Sequence, residues 1–252
     1  MLDHCSARAE STRHCICSRT TYSFRQLREA RLHETIDLDA IRGALACSAE
    51  TSEQILRQGR IRAYPARACI LRQGDRSTAT HLLVLGRAHA LLYSAEGQVI
   101  LLHEFGPGDL FGALAGLGAA PEEADVVAVE DVRAFLIEAS ALVALAERQG
   151  CIGLALSRLL LKRLRITSAR MYERAALSAP GRVCAELLRL ARDREGRAIR
   201  PVPIIAELAL KVGTTRETAS RTVHALERRG ILRREPGALV VVAPQRLEAE
   251  ML

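Results

Sequence analysis

The stretch from Glu207 to Arg233, ELALKVGTTRETASRTVHALERRGILR, constrains this chain more than any other. Leu208, Ala209 and Val212 recur at helical spacing, and Gly213 then breaks the helix. Thr214 or Thr215 can cap the helix that follows. That second helix is expected from about Arg216 to Arg229, with Ala219, Val223 and Leu226, and with them Thr222, toward a core. Arg216, Glu217, Ser220 and Arg221 then share one exposed side near its N-terminal end. This is a helix-turn-helix pattern, and that end of the second helix is the part that enters a major groove. Arginine can donate two bonds to guanine O6 and N7, and glutamate can accept from cytosine N4. The alternative is a solvated helical face carrying incidental i, i+4 pairs.

Charge favours the groove-reading alternative. The net charge is +7, and from Arg182 to Glu235 there are 13 Arg and Lys against 7 Asp and Glu. Nearly all the excess sits on the helix-turn-helix region, where phosphates would be met. The chain of 252 residues is long enough for two small domains. No apolar run is long enough for a bilayer, and the polar N-terminus lacks the apolar centre of a secretion signal. The expected location is therefore the cytoplasm, on the nucleoid. Seven scattered cysteines, an odd number, argue for reduced thiols and against a disulfide framework. There is no nucleophile elbow, no phosphate-cradling loop with lysine and no HExxH, so an enzyme is not expected.

The remaining chain divides by periodicity. Residues 1–35 form a polar, Arg- and Cys-rich tail. Residues 36–148 read as a sensor domain: short helices to about 60, then short strands punctuated by glycine from about Ile61 to Glu138. Segments 68–71, 81–85, 88–93, 99–104, 126–129 and 133–137 alternate with turns such as Gly106-Pro107-Gly108-Asp109, which suggests an antiparallel barrel or roll. Residues 149–178 read as one long helix. Leu156, Leu160, Leu164, Thr167 and Met171 lie along it at steps of four, four, three and four, with Arg158, Lys162, Arg163 and Arg165 largely off that stripe. The stripe predicts a dimer-forming helix, or a helix packed on its own domain. A dimer also suits the reader, because two helix-turn-helix units related by a two-fold axis read a palindrome. Residues 179–252, opened by Pro180-Gly181 and closed by a hairpin over 231–242, read as a winged DNA-binding domain. The fold class is thus α+β: an N-terminal antiparallel β-roll, a long dimerisation helix and a C-terminal winged helix-turn-helix.

That layout resembles the CRP/FNR superfamily of bacterial transcription regulators (cyclic-AMP receptor protein / fumarate-nitrate regulator). Four stretches carry the resemblance: Ile70–Asp75, Gly106–Gly112, Arg163–Ser168 and Arg216–Arg221. It implies that the β-roll is cyclic-nucleotide-binding-like. It also implies base reading by Arg216, Glu217 and Arg221, and phosphate contact by Thr215 and Thr218. Ser220 matches the serine of the fumarate-nitrate type. The implied partners are a second copy of the chain, double-stranded DNA with palindromic TTGA- or TGTGA-like half-sites, and RNA polymerase, with no membrane. One departure is apolar Ile204-Ile205, where relatives often carry polar phosphate-contacting residues.

The resemblance also places an effector pocket at Gly112, Ala113, Glu123, Thr167 and Ser168. In the cyclic-AMP branch the second of these positions is a glutamate for the ribose and the third an arginine for the phosphate. Here they are Ala113 and Glu123, with Glu122 alongside. A carboxylate in place of a guanidinium removes a bidentate phosphate partner and adds like-charge repulsion. Cyclic-AMP activation is therefore not expected. The fumarate-nitrate branch holds an iron–sulfur cluster on N-terminal cysteines. Cys5, Cys15 and Cys17 are the candidates, but their spacing is wrong, and the roll position for a fourth ligand is Phe135. No cofactor is expected. A cluster completed by Cys47 or a histidine, a thiol redox sensor, and gating by an unidentified effector stay open as alternatives. Cys184 is either an activated thiol near the hinge or a buried small hydrophobe.

Overall fold

A computed structural model describes residues 38–94, 98–113, 121–192 and 194–251. The tail 1–35, and with it Cys5, Cys15 and Cys17, lies outside the described residues.

Helices α1 (Leu38–Leu45) and α2 (Ala49–Arg57) lead into eight strands: β1 (Gly59–Tyr64), β2 (Cys69–Leu71), β3 (Ala79–Leu85), β4 (Ala88–Tyr93), β5 (Val99–Phe105), β6 (Leu110–Gly112), β7 (Asp125–Ala128) and β8 (Val132–Glu138). They pair antiparallel as two four-stranded sheets, in the orders β1-β8-β3-β6 and β2-β7-β4-β5. Side-chain alternation sends successive residues to opposite faces and so builds two cores. Leu83, Phe111, Ala134 and Leu136 meet Ala88, Phe105 and Val126 between the sheets. Their neighbours Leu82, Leu110, Phe135 and Ile137 point the other way and pack with Ile41, Ile55, Leu142 and Ile152 of the helices. Two strands escape the sequence pattern. In β1, Arg60 and Arg62 interrupt the apolar signal, and β6 is only three residues long.

Helix α3 (Ala139–Arg148) turns at Gln149 into α4 (Gly150–Ala176), 27 residues long. The first turns of α4 belong to its own domain: Ile152 is fully buried, and Leu156 and Leu159 pack on the same core. This corrects the expected stripe, because Leu156 faces the roll. The large hydrophobic side chains left exposed on α4 are Leu154, Leu160, Leu161, Leu164, Met171 and Tyr172. Of these, Leu154, Leu161, Leu164 and Met171 keep a 3.5-residue spacing, with Ser157 and Ser168 between them. Among the described residues no single helix is long and apolar enough to cross a membrane.

The C-terminal part holds α5 (Ala179–Ala191), α6 (Ile205–Val212), α7 (Arg216–Arg228), strands β9 (Ala198–Ile199), β10 (Leu232–Glu235) and β11 (Ala238–Val241), and α8 (Pro244–Ala249). Its core joins Val183, Cys184, Leu187, Leu208, Val223, Leu226, Ile231 and Leu247. The wing is a three-stranded sheet, β10-β11-β9, because the loop that opens the domain contributes β9.

Candidate DNA-reading site and the roll interior

Helix α6 stops because Gly213 adopts the left-handed conformation (φ 63°, ψ 52°) that lets its amide reach back to the last carbonyls. Thr215, not Thr214, is the N-cap of α7, and its side chain accepts from the Thr218 amide at 3.2 Å. Ala219, Val223 and Leu226 bury the inner face of α7, and the Thr222 hydroxyl donates to the Thr218 carbonyl at 2.8 Å. Thr215→Ala should therefore lower the unfolding free energy by about 1 kcal/mol, read by denaturant titration without DNA.

The outer face carries the chemistry. Arg216, Glu217 and Arg221 are exposed and Ser220 is half-buried. Among the described residues, Arg216, Glu217 and Arg221 form no side-chain hydrogen bond or ion pair. The C-terminal half of α7 and the wing behave otherwise. His224 and Arg234 both engage Glu227, Arg229 forks onto Glu250, and Arg233 holds Glu235 at 2.7 Å. Intramolecular pairing thus engages Arg229, Arg233, Arg234 and His224, and leaves Arg216, Glu217 and Arg221 free to donate and accept. At the start of α6, Ile204 is exposed and serves as N-cap with no side-chain hydrogen bond.

Two arginines fix the turn between α6 and α7. Arg182 donates to the carbonyls of Val212 (2.8 Å), Gly213 (3.2 Å) and Leu177 (3.0 Å), joining the end of α6 to the hinge after α4. The Arg174 guanidinium covers Gly213, lying 3.3 Å from where a Cβ would stand. The thiol of Cys184 is buried beneath α7 and pushed up to about 11 by that burial, so it is a small hydrophobe and not an activated nucleophile.

The predicted pocket residues lie at the end of β6, just ahead of β7 and on α4. Gly112 ends β6 at φ 83°, and a Cβ there would stand 2.7 Å from the Ala79 carbonyl oxygen. The Ala113 carbonyl accepts from the Thr80 hydroxyl. Glu123 is exposed beside Glu122, whose carboxyl is pushed up by burial, by Glu123 and by Asp75. Thr167 and Ser168 are exposed on α4. Of the predicted pocket's neighbours on α4, Arg163 donates to the Leu110 carbonyl and sits 5.3 Å from the Phe105 ring centre. From there a ladder of rings crosses the interior. Phe105 stacks on Phe111 at 4.9 Å, Phe111 on His81 at 5.0 Å, and the Tyr64 hydroxyl lies 3.3 Å from His81 Nε2. His103 tilts against Phe105 at 4.8 Å. No pattern along the chain points to this ladder, since its members are scattered over four strands. Among the described residues no three potential ligands gather to hold a metal ion.

Burial holds His81 down at about 4, and burial together with Arg163 holds His103 at about 4. Both are neutral near pH 7. Because the unfolded chain binds these protons more tightly, stability is full above about pH 6.5 and falls as the pH drops toward 4. His81 alone contributes on the order of 3 kcal/mol to that loss. Unfolding free energies measured between pH 7 and 5 should show the decline, and His81→Phe should flatten it.

Comparison with known proteins agrees with this architecture. Residues 61–149 match the cyclic nucleotide-binding domain family and residues 181–250 match the Crp-like helix-turn-helix domain family. The cyclic AMP receptor protein of Thermus thermophilus is 35% identical over 182 residues, covering 71% of this chain and 82% of the relative. The chain belongs to the CRP/FNR family of transcription regulators. A CRP-like cAMP-activated global transcriptional regulator of Mycobacterium tuberculosis is 27% identical over 189 residues, covering 73% of this chain and 84% of the relative. The fold is shared with the c-di-GMP-responsive regulator CLP of Xanthomonas campestris (TM-score 0.66, 23% identity, 77% of this chain and 99% of that one). This CRP/FNR member is thus a regulator with a DNA-binding helix-turn-helix, not an enzyme.

Proposed function

We propose that this CRP/FNR regulator works as a homodimer on nucleoid DNA in the cytoplasm. In this reading it recognises a palindromic TTGA- or TGTGA-like site, engages RNA polymerase from there, and does so without cyclic AMP. The observation that carries it is the unpaired set Arg216, Glu217 and Arg221 on the first turns of a capped helix. Solvated, uncommitted donors and acceptors at a helix N-terminus are what direct base readout requires. Dimerisation through α4 is supported by the exposed row Leu154, Leu161, Leu164 and Met171, with Leu160 and Thr167 flanking it. Thr215 and Thr218 would meet phosphate. A cyclic nucleotide fits this roll poorly: Ala113 offers the ribose no carboxylate, and Glu122 and Glu123 oppose the phosphate.

Selection of bound sequences from a random duplex pool, with and without cyclic AMP and with and without oxygen, tests this directly. The expected result is one palindrome under all four conditions, together with a flat calorimetric titration of cyclic AMP. A site that emerges only with the nucleotide would refute the effector-independent part, and no enriched site at all would refute the whole reading.

One observation favours a gated variant of the same function. Arg163 is largely buried and its Nε has no hydrogen-bond partner; among the described residues it forms no ion pair. A largely buried guanidinium whose nearest opposing charge, Asp109, makes no ion-pair contact with it is costly, and a small anionic effector arriving between α4 and the roll would relieve it.

A further inference from the structure

Strand β5 has two working faces. His103 and Phe105 belong to the ring ladder inside the roll, whereas Glu104, between them, lies on the opposite face. There it meets Lys211 of α6 at 2.9 Å, Arg170 of α4 at 3.7 Å and His89, its cross-strand partner on β4, at 3.5 Å. His89 is buried beneath this cluster. A second contact joins the same surfaces, with Arg87 ahead of β4 lying 3.9 Å from Glu207 of α6. Glu186 of α5 also faces the cluster, and Arg189 ties it to Glu173 of α4. One carboxylate of the roll therefore gathers basic side chains from three other elements. Burial works against its charge, but the nearby His89 and Lys211 side chains more than offset this and hold Glu104 down at about 2.

Lys211 is two residues from Gly213 and four from the Thr215 cap. Wherever its ammonium is held, the start of α7 follows, because Arg182 already locks the carbonyls of Val212 and Gly213. We propose that Glu104 is a positioning residue of the DNA-reading module: by holding Lys211 it sets the orientation of α6 and hence the presentation of Arg216, Glu217 and Arg221. Strand β5 is then the element through which a change inside the roll reaches the recognition helix. This rests on α7 being the base-reading helix.

A module held in its binding orientation spends less ordering entropy on DNA. Loosening it weakens cognate binding, in the 5- to 150-fold range typical of coupled sites. Electrostatics alone argues the opposite for Glu104→Lys, since two added positive charges strengthen attraction to DNA. The full-length protein is tested as Glu104→Lys, Lys211→Glu and the double swap, with Glu104→Gln as the milder variant should a swap fail to fold. Readouts are affinity for the selected palindrome, affinity for a scrambled duplex, and hydrogen–deuterium exchange over 99–105 and 205–215. Glu104→Lys is expected to bind the palindrome about 10-fold more weakly while binding the scrambled duplex no less tightly, with faster exchange in both segments. The double swap should recover both properties. Tighter palindrome binding by Glu104→Lys, unchanged exchange in the single variants, or a double swap that adds the two losses would overturn the proposal. If the wild type shows no palindrome preference, the base-reading assignment has failed, and the exchange data still report on the Glu104–Lys211 contact separately.

Discussion

Arg221→Ala should weaken binding to the selected palindrome by about 1–3 kcal/mol per half-site and flatten the preference at the base pair it reads. The physical reason is the isolation of this side chain. It is exposed on α7 and forms no hydrogen bond or ion pair with any described residue. Truncation therefore breaks no contact within the protein and costs little folding stability. Its neighbours further along the helix differ: removing Arg229 would free Glu250, and removing Arg234 would disturb Glu227. Affinities for the palindrome and for a duplex of scrambled sequence, taken at one salt concentration, separate the two possible roles. A selective loss marks Arg221 as a base contact. An equal loss on both duplexes would assign it to the phosphate backbone and remove the main support for sequence reading.

Leu161→Glu combined with Leu164→Glu should abolish the proposed dimer at micromolar concentration. Both leucines are more than half exposed on α4, and burying such a side chain contributes about 1.5–3 kcal/mol. In a symmetric pair each position counts twice. The substitution both forfeits that burial and sets carboxylates against each other across the seam, so a dissociation constant raised by at least ~1000-fold follows. Sedimentation velocity measures the association. The monomer should keep its fold, since neither leucine contributes to the described cores, and should lose the palindrome while retaining weak binding to single half-sites. Leu156→Glu provides the contrast. It should damage the roll's own packing instead, because that side chain sits on the core with Ile152 and Leu142.

Much of the reader was legible along the chain because its determinants are local. A helix of eight residues, a left-handed glycine, a threonine cap and an amphipathic helix with Ala219, Val223 and Leu226 inward are all matters of spacing within about 25 residues. The alternating strands of the roll were legible for the same reason, apart from β1 and β6. Of the stripe expected for a dimer, Leu160, Leu164, Thr167 and Met171 are exposed, whereas Leu156 packs on the roll's core. A four-residue step fits Leu156, Leu160 and Leu164, and a 3.5-residue step fits Leu154, Leu161 and Leu164. Spacing alone cannot choose between them; the roll does, by covering Leu156.

Pairing across long separations carried the rest. No pattern in the chain connects Glu104 to Lys211, Arg182 to Gly213, or Tyr64 through His81 and Phe111 to Phe105 and Arg163. Periodicity reports which way a side chain faces within its own element, and that suffices to name a recognition helix and its polar face. Which distant group that side chain then meets depends on how separate elements are packed. Here that packing withdraws Arg229, Arg233 and Arg234 into internal pairs, buries the Cys184 thiol, fills the roll with its own rings, and leaves Arg216, Glu217 and Arg221 free.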